Sequence, residues 1–306
     1  MSTDSNIAAS RVIRKQRIKD AVYALLGGAS YYSGLTWGRN RLAAAPSLRI
    51  LIYYKINDVS GNTLSTSPEL FARHMRFLRD HYTVISPEEL TGLITNVAML
   101  PRNAVLVTFD DGYRDVYEHA YPVLKDMGLQ ALLFPATDYI GTDRPFPHDE
   151  RLPMPNPALD WTQLRAMQDI FTIGSHTKSH RILTAIPPHE AREELYGSKK
   201  LLENRLGRAV QFFCYPKGGA GQFSQPVEDL VQAAGYLASF VTLTGPNSVD
   251  RVRSGKWLHR YHVEPVGDFM FARLLDGSCD VIGIKDTSWG VAAKRSFNHL
   301  LRTTTR

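Results

Sequence analysis

A chain of 306 residues with 43% hydrophobic residues and no low-complexity tract has enough apolar material for a sizeable folded core. That composition excludes a chain disordered throughout, and two cysteines, Cys214 and Cys279, exclude a disulfide framework. The net charge of +6 is modest but unevenly placed, with Arg11, Arg14, Lys15, Arg17 and Lys19 crowded at one end.

Residues 1–46 read as a basic N-terminal arm. Its uncharged stretch "AVYALLGGASYYSGLTWG" is diluted by glycine and serine, which makes it weakly apolar for a span of about 20 residues. Val22, Leu25, Leu26 and Ala29 recur at helical spacing, so the arm is expected to lie on an anionic membrane surface. A helix packed on the protein's own core is the alternative. Nucleic acid is not an expected partner, because no basic stripe with interleaved aromatics continues beyond the arm. The oligomeric state is not legible.

From residue 47 strand-like runs alternate with capped helices. "RILIYY" (Arg49 to Tyr54) reads as a buried strand, and Ser67-Pro68-Glu69 opens a helix towards His81. Ser86 and Glu89 have capping-box spacing ahead of another helix. "AVLVTF" is a strand, a helix over about Asp115 to Met127 stops at Gly128, and "ALLFPAT" is the next strand. The proline-rich "DRPFPHDERLPMPNP" (Asp143 to Pro157) reads as a loop, a lid or a substrate wall, with His148, Asp149 and Glu150 taken as solvated. "FTIGSH", "VQFFCYP", "LASFVT" and "WLHRYHV" are later strands, and a long helix runs from Pro188 to Leu206. His74, His81, His119 and His189 read as surface residues of helices. Roughly seven β-then-α units in succession predict an α/β fold with a parallel sheet closed as a barrel over residues 47–285. Residues 286–306 form a basic tail.

The chemistry gathers at strand ends. "VTFDDGYRD" closes a buried strand on two adjacent acids, Asp110 and Asp111, and two like charges side by side are costly to bury unless a cation or a shared proton relieves them. "SHTKSH" places His176 and His180 four positions apart, so both can aim at one point. Two imidazoles and one carboxylate form a ligand set that leaves positions open for water and substrate. Asp111 is therefore expected to bind a divalent metal with His176 and His180, and Asp110 to accept a proton as general base. A non-haem iron oxygenase shares this ligand logic, but the neighbouring base aspartate and the β/α alternation speak against it.

"TFDDGY", "GSHTKSH" and "FCYPKGG", in that order, resemble the signature motifs of the polysaccharide deacetylases, the NodB-homology or carbohydrate esterase family 4 proteins. The "F-x-Y-P-x-G" form is similar to that of the deacetylases of poly-N-acetylglucosamine. The resemblance implies a distorted (β/α)7 barrel and metal-dependent removal of N-acetyl groups from an acetamido sugar of a bacterial polysaccharide or its lipid-linked precursor. It further implies zinc, or another first-row ion, held by Asp111, His176 and His180, and a substrate and oxyanion region at Tyr215, Pro216 and Lys217. Residue 217 would act through its backbone N–H.

Two positions depart from the family pattern. Many members carry in the third motif an arginine that orients the base; here Cys214 occupies that neighbourhood. Where a "Y-H-x-V"-like motif supplies the histidine that protonates the leaving amine, this chain reads "YYKI", with Tyr54 in its place. The acid is then Tyr54, or His259 or His262, and strand alternation lets at most one of those histidines face the barrel interior. A carbohydrate-binding or scaffold protein with weak or no turnover is the competing class. The expected location is the cytoplasmic membrane of a bacterium, peripherally bound, or an extracytoplasmic site reached through an uncleaved N-terminal anchor.

Overall fold

The computed structural model describes residues 46–59, 62–150 and 156–280, with the single positions 32 and 283. The expected membrane-docking arm, apart from Tyr32 and Pro46, and the basic tail lie outside the described residues. Among the described residues no helix is long and apolar enough to cross a membrane.

Seven strands form the staves of a barrel in chain order: β1 (Ser47–Tyr53), β2 (Ala104–Asp111), β3 (Ala131–Pro135), β4 (Phe171–Ile173), β5 (Phe212–Cys214), β6 (Ala238–Phe240) and β7 (Tyr261–His262). β1 pairs β2, β2 pairs β3, β3 pairs β4, β5 pairs β6, and β7 returns to β1, all parallel. Single bridges close the two remaining seams, Ser175 to Phe213 between β4 and β5, and Phe240 to Leu258 between β6 and the approach to β7. The expected distorted (β/α)7 barrel is what forms, and the one-bridge seams are where it is distorted.

Alternation along the staves explains why they read as unbroken apolar runs: both faces are buried. Leu48, Ile50, Leu106, Leu132, Phe134, Phe212 and Phe240 belong to the inner cluster, whereas Leu51, Tyr53, Val105, Val107 and Phe109 pack in the outer one with Phe71, Met75 and Leu78 of the helix Pro68–His81. The caps form as their sequences require. Ser86 and Glu89 exchange hydrogen bonds, Asp160 and Gln163 do the same, and Gly207 ends the helix Pro188–Leu206 in the left-handed region at φ 70°.

Two expectations need correction. The helix expected over about Asp115 to Met127 begins as a π-turn, Val116–Ala120, before the α-helix Tyr121–Asp126. Pro122 lacks an N–H and its ring crowds the preceding turn, and Tyr121 reaches back to the Val116 carbonyl in the wider ring. His74 is not a surface residue. It is buried, stacked on Phe271 at 3.8 Å between ring centroids, with Nδ1 3.1 Å from the Tyr53 hydroxyl and Nε2 3.1 Å from the Val266 carbonyl.

Candidate active site

All seven staves point their C-terminal ends to one mouth, where β2 delivers Asp110 and Asp111. Even-numbered residues of β2 face inward, so Asp110 looks down into the barrel. There it meets Arg260, which donates from Nη1 to Oδ1 at 2.7 Å and from Nη2 to Oδ2 at 2.8 Å. The guanidinium is wholly buried, lies over the rings of Phe134 and Phe240, and also bonds Thr108 Oγ1 and the Val241 carbonyl. Burial works against its charge, but Asp110 more than offsets this and holds Arg260 above the ordinary arginine range.

Asp111 takes the opposite course. Its own φ of 71° and the φ of 86° at Gly112 bend the chain over the mouth, and a Cβ at Gly112 would lie 2.8 Å from that of Pro135, so glycine is required there. Both Asp111 oxygens are buried without a hydrogen bond of ordinary geometry. Oδ1 faces His176 Nε2 at 3.5 Å and His180 Nε2 at 3.3 Å, and Oδ2 faces His148 Nε2 at 3.4 Å. Burial would raise this carboxyl, yet the contacts with His148 and His180 outweigh it and hold Asp111 well below the usual range.

His176 follows β4, and its Nδ1 donates to the Cys214 carbonyl at 2.8 Å, which leaves the Nε2 lone pair for the Asp111 side. Burial lowers its pKa to about 4, so the ring is neutral, as a ligand must be. His180 depends on a strained turn in which Thr177 and His180 both have positive φ. Glu194, from the helix Pro188–Leu206, secures that turn. It accepts from the N–H groups of Lys178 at 2.8 Å and Ser179 at 2.9 Å, and from the Ser179 hydroxyl.

One ligand atom from each of Asp111, His176 and His180 falls within 4.8 Å of the others. This donor set and the unsatisfied carboxylate fit a divalent first-row ion. Asp110, His176 and Cys214 also approach one another, but Arg260 Nη2 already lies 2.8 Å from both the Cys214 sulfur and Asp110 Oδ2, so a cation occupies that corner. Burial pushes the Cys214 thiol well up.

Residues 98–239 match the family model described as polysaccharide deacetylase. YxkH of Bacillus subtilis (strain 168), which carries the provisional description of a polysaccharide deacetylase, is 32% identical over 220 residues, covering 71% of this chain and 72% of that protein. This chain belongs to the polysaccharide deacetylase family. It therefore falls among hydrolases that act on amides. The Staphylococcus aureus (strain MSSA476) poly-beta-1,6-N-acetyl-D-glucosamine N-deacetylase is 25% identical over 111 residues, 36% of this chain and 38% of that one. The Streptococcus pyogenes deacetylase PplD, solved in complex with acetate, shares the fold at a TM-score of 0.63 and 23% identity, covering 76% of this chain and 98% of that one.

The remaining site candidates of this deacetylase separate by parity on β7. Arg260 and His262 share a face. His262 reaches the mouth beside Tyr54, with ring centroids 5.3 Å apart. His259 does not: its ring Nδ1 packs against Gly245, 3.3 Å from where a Cβ there would stand, its backbone N–H bonds Asn247 Oδ1, and burial together with the charge of Arg251 lowers its pKa to about 4. Burial and the charge of Asp110 push the Tyr54 phenol well above its ordinary range. After β5, Tyr215 turns its hydroxyl to the buried Glu228 at 2.9 Å. That anchors the bend at Lys217 (φ 63°) and Gly218 (φ 54°), and the Lys217 side chain is exposed.

Sequence reading missed Arg260 and Glu194. Arg260 lies between the two histidines of "WLHRYHV", and alternation alone puts it on the face of His262. For Glu194 no local signal exists. The solvated reading of Asp149 is also corrected: it is 5% exposed because Lys55 Nζ meets it at 2.5 Å.

Proposed function

We propose that this protein is a metal-dependent N-deacetylase acting on an acetamido sugar of a bacterial exopolysaccharide or its lipid-linked precursor. The observation that carries the reading is the division of the acid pair, with Asp110 clamped by Arg260 and Asp111 turned to His176 and His180. The name of the staphylococcal relative supports the glycan class.

Asp111, His176 and His180 would hold the ion, zinc by preference, which supplies Lewis acidity toward the amide carbonyl and acidifies water. Asp110 takes the proton of the attacking water, and Arg260 fixes both its oxygens so that the carboxylate cannot rotate away. The backbone N–H of residue 217 donates to the developing oxyanion, with Tyr215 and Pro216 shaping the bend. His262 gives the proton to the leaving amine, because Tyr54 is too weak an acid and the His259 ring packs against Gly245 instead.

Acetate release from N-acetylglucosamine oligomers, with and without zinc, tests the reading. Asp110→Asn should retain metal and lose roughly two to four orders of magnitude in turnover. Metal binding with no acetate release from any oligomer would instead favour a glycan-binding protein. We place the enzyme at the cytoplasmic membrane surface through its basic arm, and stronger sedimentation with anionic than with neutral vesicles is the expected result.

A further inference from the structure

The chain replaces the expected histidine at position 54, yet a third imidazole still reaches Asp111. His148 comes from the proline-rich loop, and the way it is held is built rather than incidental. Lys55, wholly buried, pairs with Asp149 Oδ1 at 2.5 Å and lies 4.7 Å from the centre of the Tyr113 ring. Tyr113 donates its hydroxyl proton to Asp149 Oδ2 at 2.7 Å. Phe146, buried in the same loop, stacks on Tyr139 at 4.0 Å and lies 5.6 Å from the ring of His180. The buried pair of Lys55, from the segment after β1, with Asp149 of the loop serves geometry better than stability, since such pairs rarely outperform apolar packing.

The Tyr113 hydroxyl has one proton, and it goes to Asp149. The 2.8 Å contact between that oxygen and His148 Nε2 therefore requires the ring nitrogen to be the donor. A protonated Nε2 cannot ligate a metal. With that one proton given to Tyr113, the Nε2 edge still lies 3.4 Å from Asp111 Oδ2 as an electrostatic contact and not a hydrogen bond, while Oδ1 faces His176 and His180.

We infer that His148 is a positioning residue for the metal-holding carboxylate: held by Lys55, Asp149 and Tyr113, its Nε2 edge stands beside Asp111 Oδ2 and so turns Oδ1 to the ion. The inference rests on the proposed metal role of Asp111, His176 and His180. Groups that orient a ligand from behind typically change metal affinity about 10–100-fold when removed. Residues 146–149 are thereby a working part of the metal centre.

Isothermal titration of the full chain with Zn2+, after chelation, tests this with four proteins: wild type, His148→Ala, His148→Gln and His176→Ala. A thermal melt of each apo-protein reports folding. His148→Ala should bind zinc about 10–100-fold more weakly with an unchanged apo melt, and His148→Gln, which keeps an N–H donor, should recover much of the loss. Lys55→Met, which unhooks Asp149 from the far side, should weaken binding in the same direction. Wild-type affinity in His148→Ala, while His176→Ala loses zinc, overturns the inference and leaves the metal site standing. Weak binding in His148→Ala with no recovery in His148→Gln also overturns it, since the imidazole would then be a direct ligand. Unchanged affinity in His176→Ala defeats the metal site itself.

Discussion

Arg260→Met provides the sharpest test of how the acid pair is divided. The substitution keeps much of the side-chain volume but removes the guanidinium from a barrel interior in which Arg260 is wholly buried and Asp110 is 2% exposed. Two charge-assisted bonds, at 2.7 and 2.8 Å, disappear together, and the buried carboxylate is left with the weak Cys214 thiol donor at 3.5 Å where the guanidinium lay over Phe134 and Phe240. Breaking a buried pair from one side costs about 3–5 kcal/mol, because the surviving charge is uncompensated. Asp110→Asn in the same background removes that charge. The double variant Arg260→Met with Asp110→Asn should therefore be more stable than Arg260→Met alone by about 2–3 kcal/mol, the remainder reflecting an amide still short of partners. Urea unfolding of the metal-free proteins gives the four corners of the cycle. Additive losses, within about 0.5 kcal/mol, would show that the ion pair is not the unit described and would refute the reasoning. Arg260→Lys keeps the charge but not the fork, so it should unfold nearer to wild type while turnover drops roughly 10-fold or more.

Other consequences follow from the same contacts. Glu194→Ala frees the turn that carries His180, and turnover should fall about 10-fold or more with the barrel intact by circular dichroism; unaltered kinetics would show that the turn holds itself. His262→Gln should reduce turnover by roughly two orders of magnitude and Tyr54→Phe should change it little, whereas the reverse order would make the phenol the proton donor. His74 has a pKa lowered by burial to about 4, against an ordinary 6.5, so the unfolded chain binds its proton first. Its contribution is complete above pH 6.5 and is lost as pH falls towards 4, up to about 3 kcal/mol, and the stability slope in that window should shrink by about one proton in His74→Asn.

The elements that could be read in the sequence are those with a local cause. A proline after Ser67 or Ser86, a glycine after Leu206 and an acid pair closing "AVLVTF" each act within a few residues, and they form as read. What was not legible has its cause elsewhere in the chain. The acid pair required a cation, and the motif beside Cys214 offered none. The barrel supplies it from a position 150 residues away, on the stave that closes the ring beside β1. Arginine in a strand reads as surface because nothing in its neighbourhood announces a buried carboxylate. Only closure of the barrel brings the two together. Asp149 and His148 read as solvated for the same reason, since their partners Lys55 and Tyr113 lie on other segments. The one feature that did bridge local and distant structure was strand parity. It allowed only one of His259 and His262 to face inward, and whichever side that was, Arg260 had to share it with His262. Two adjacent carboxylates can be buried at the end of one strand because alternation sends them to different partners, Asp110 down to a guanidinium and Asp111 up to three imidazoles.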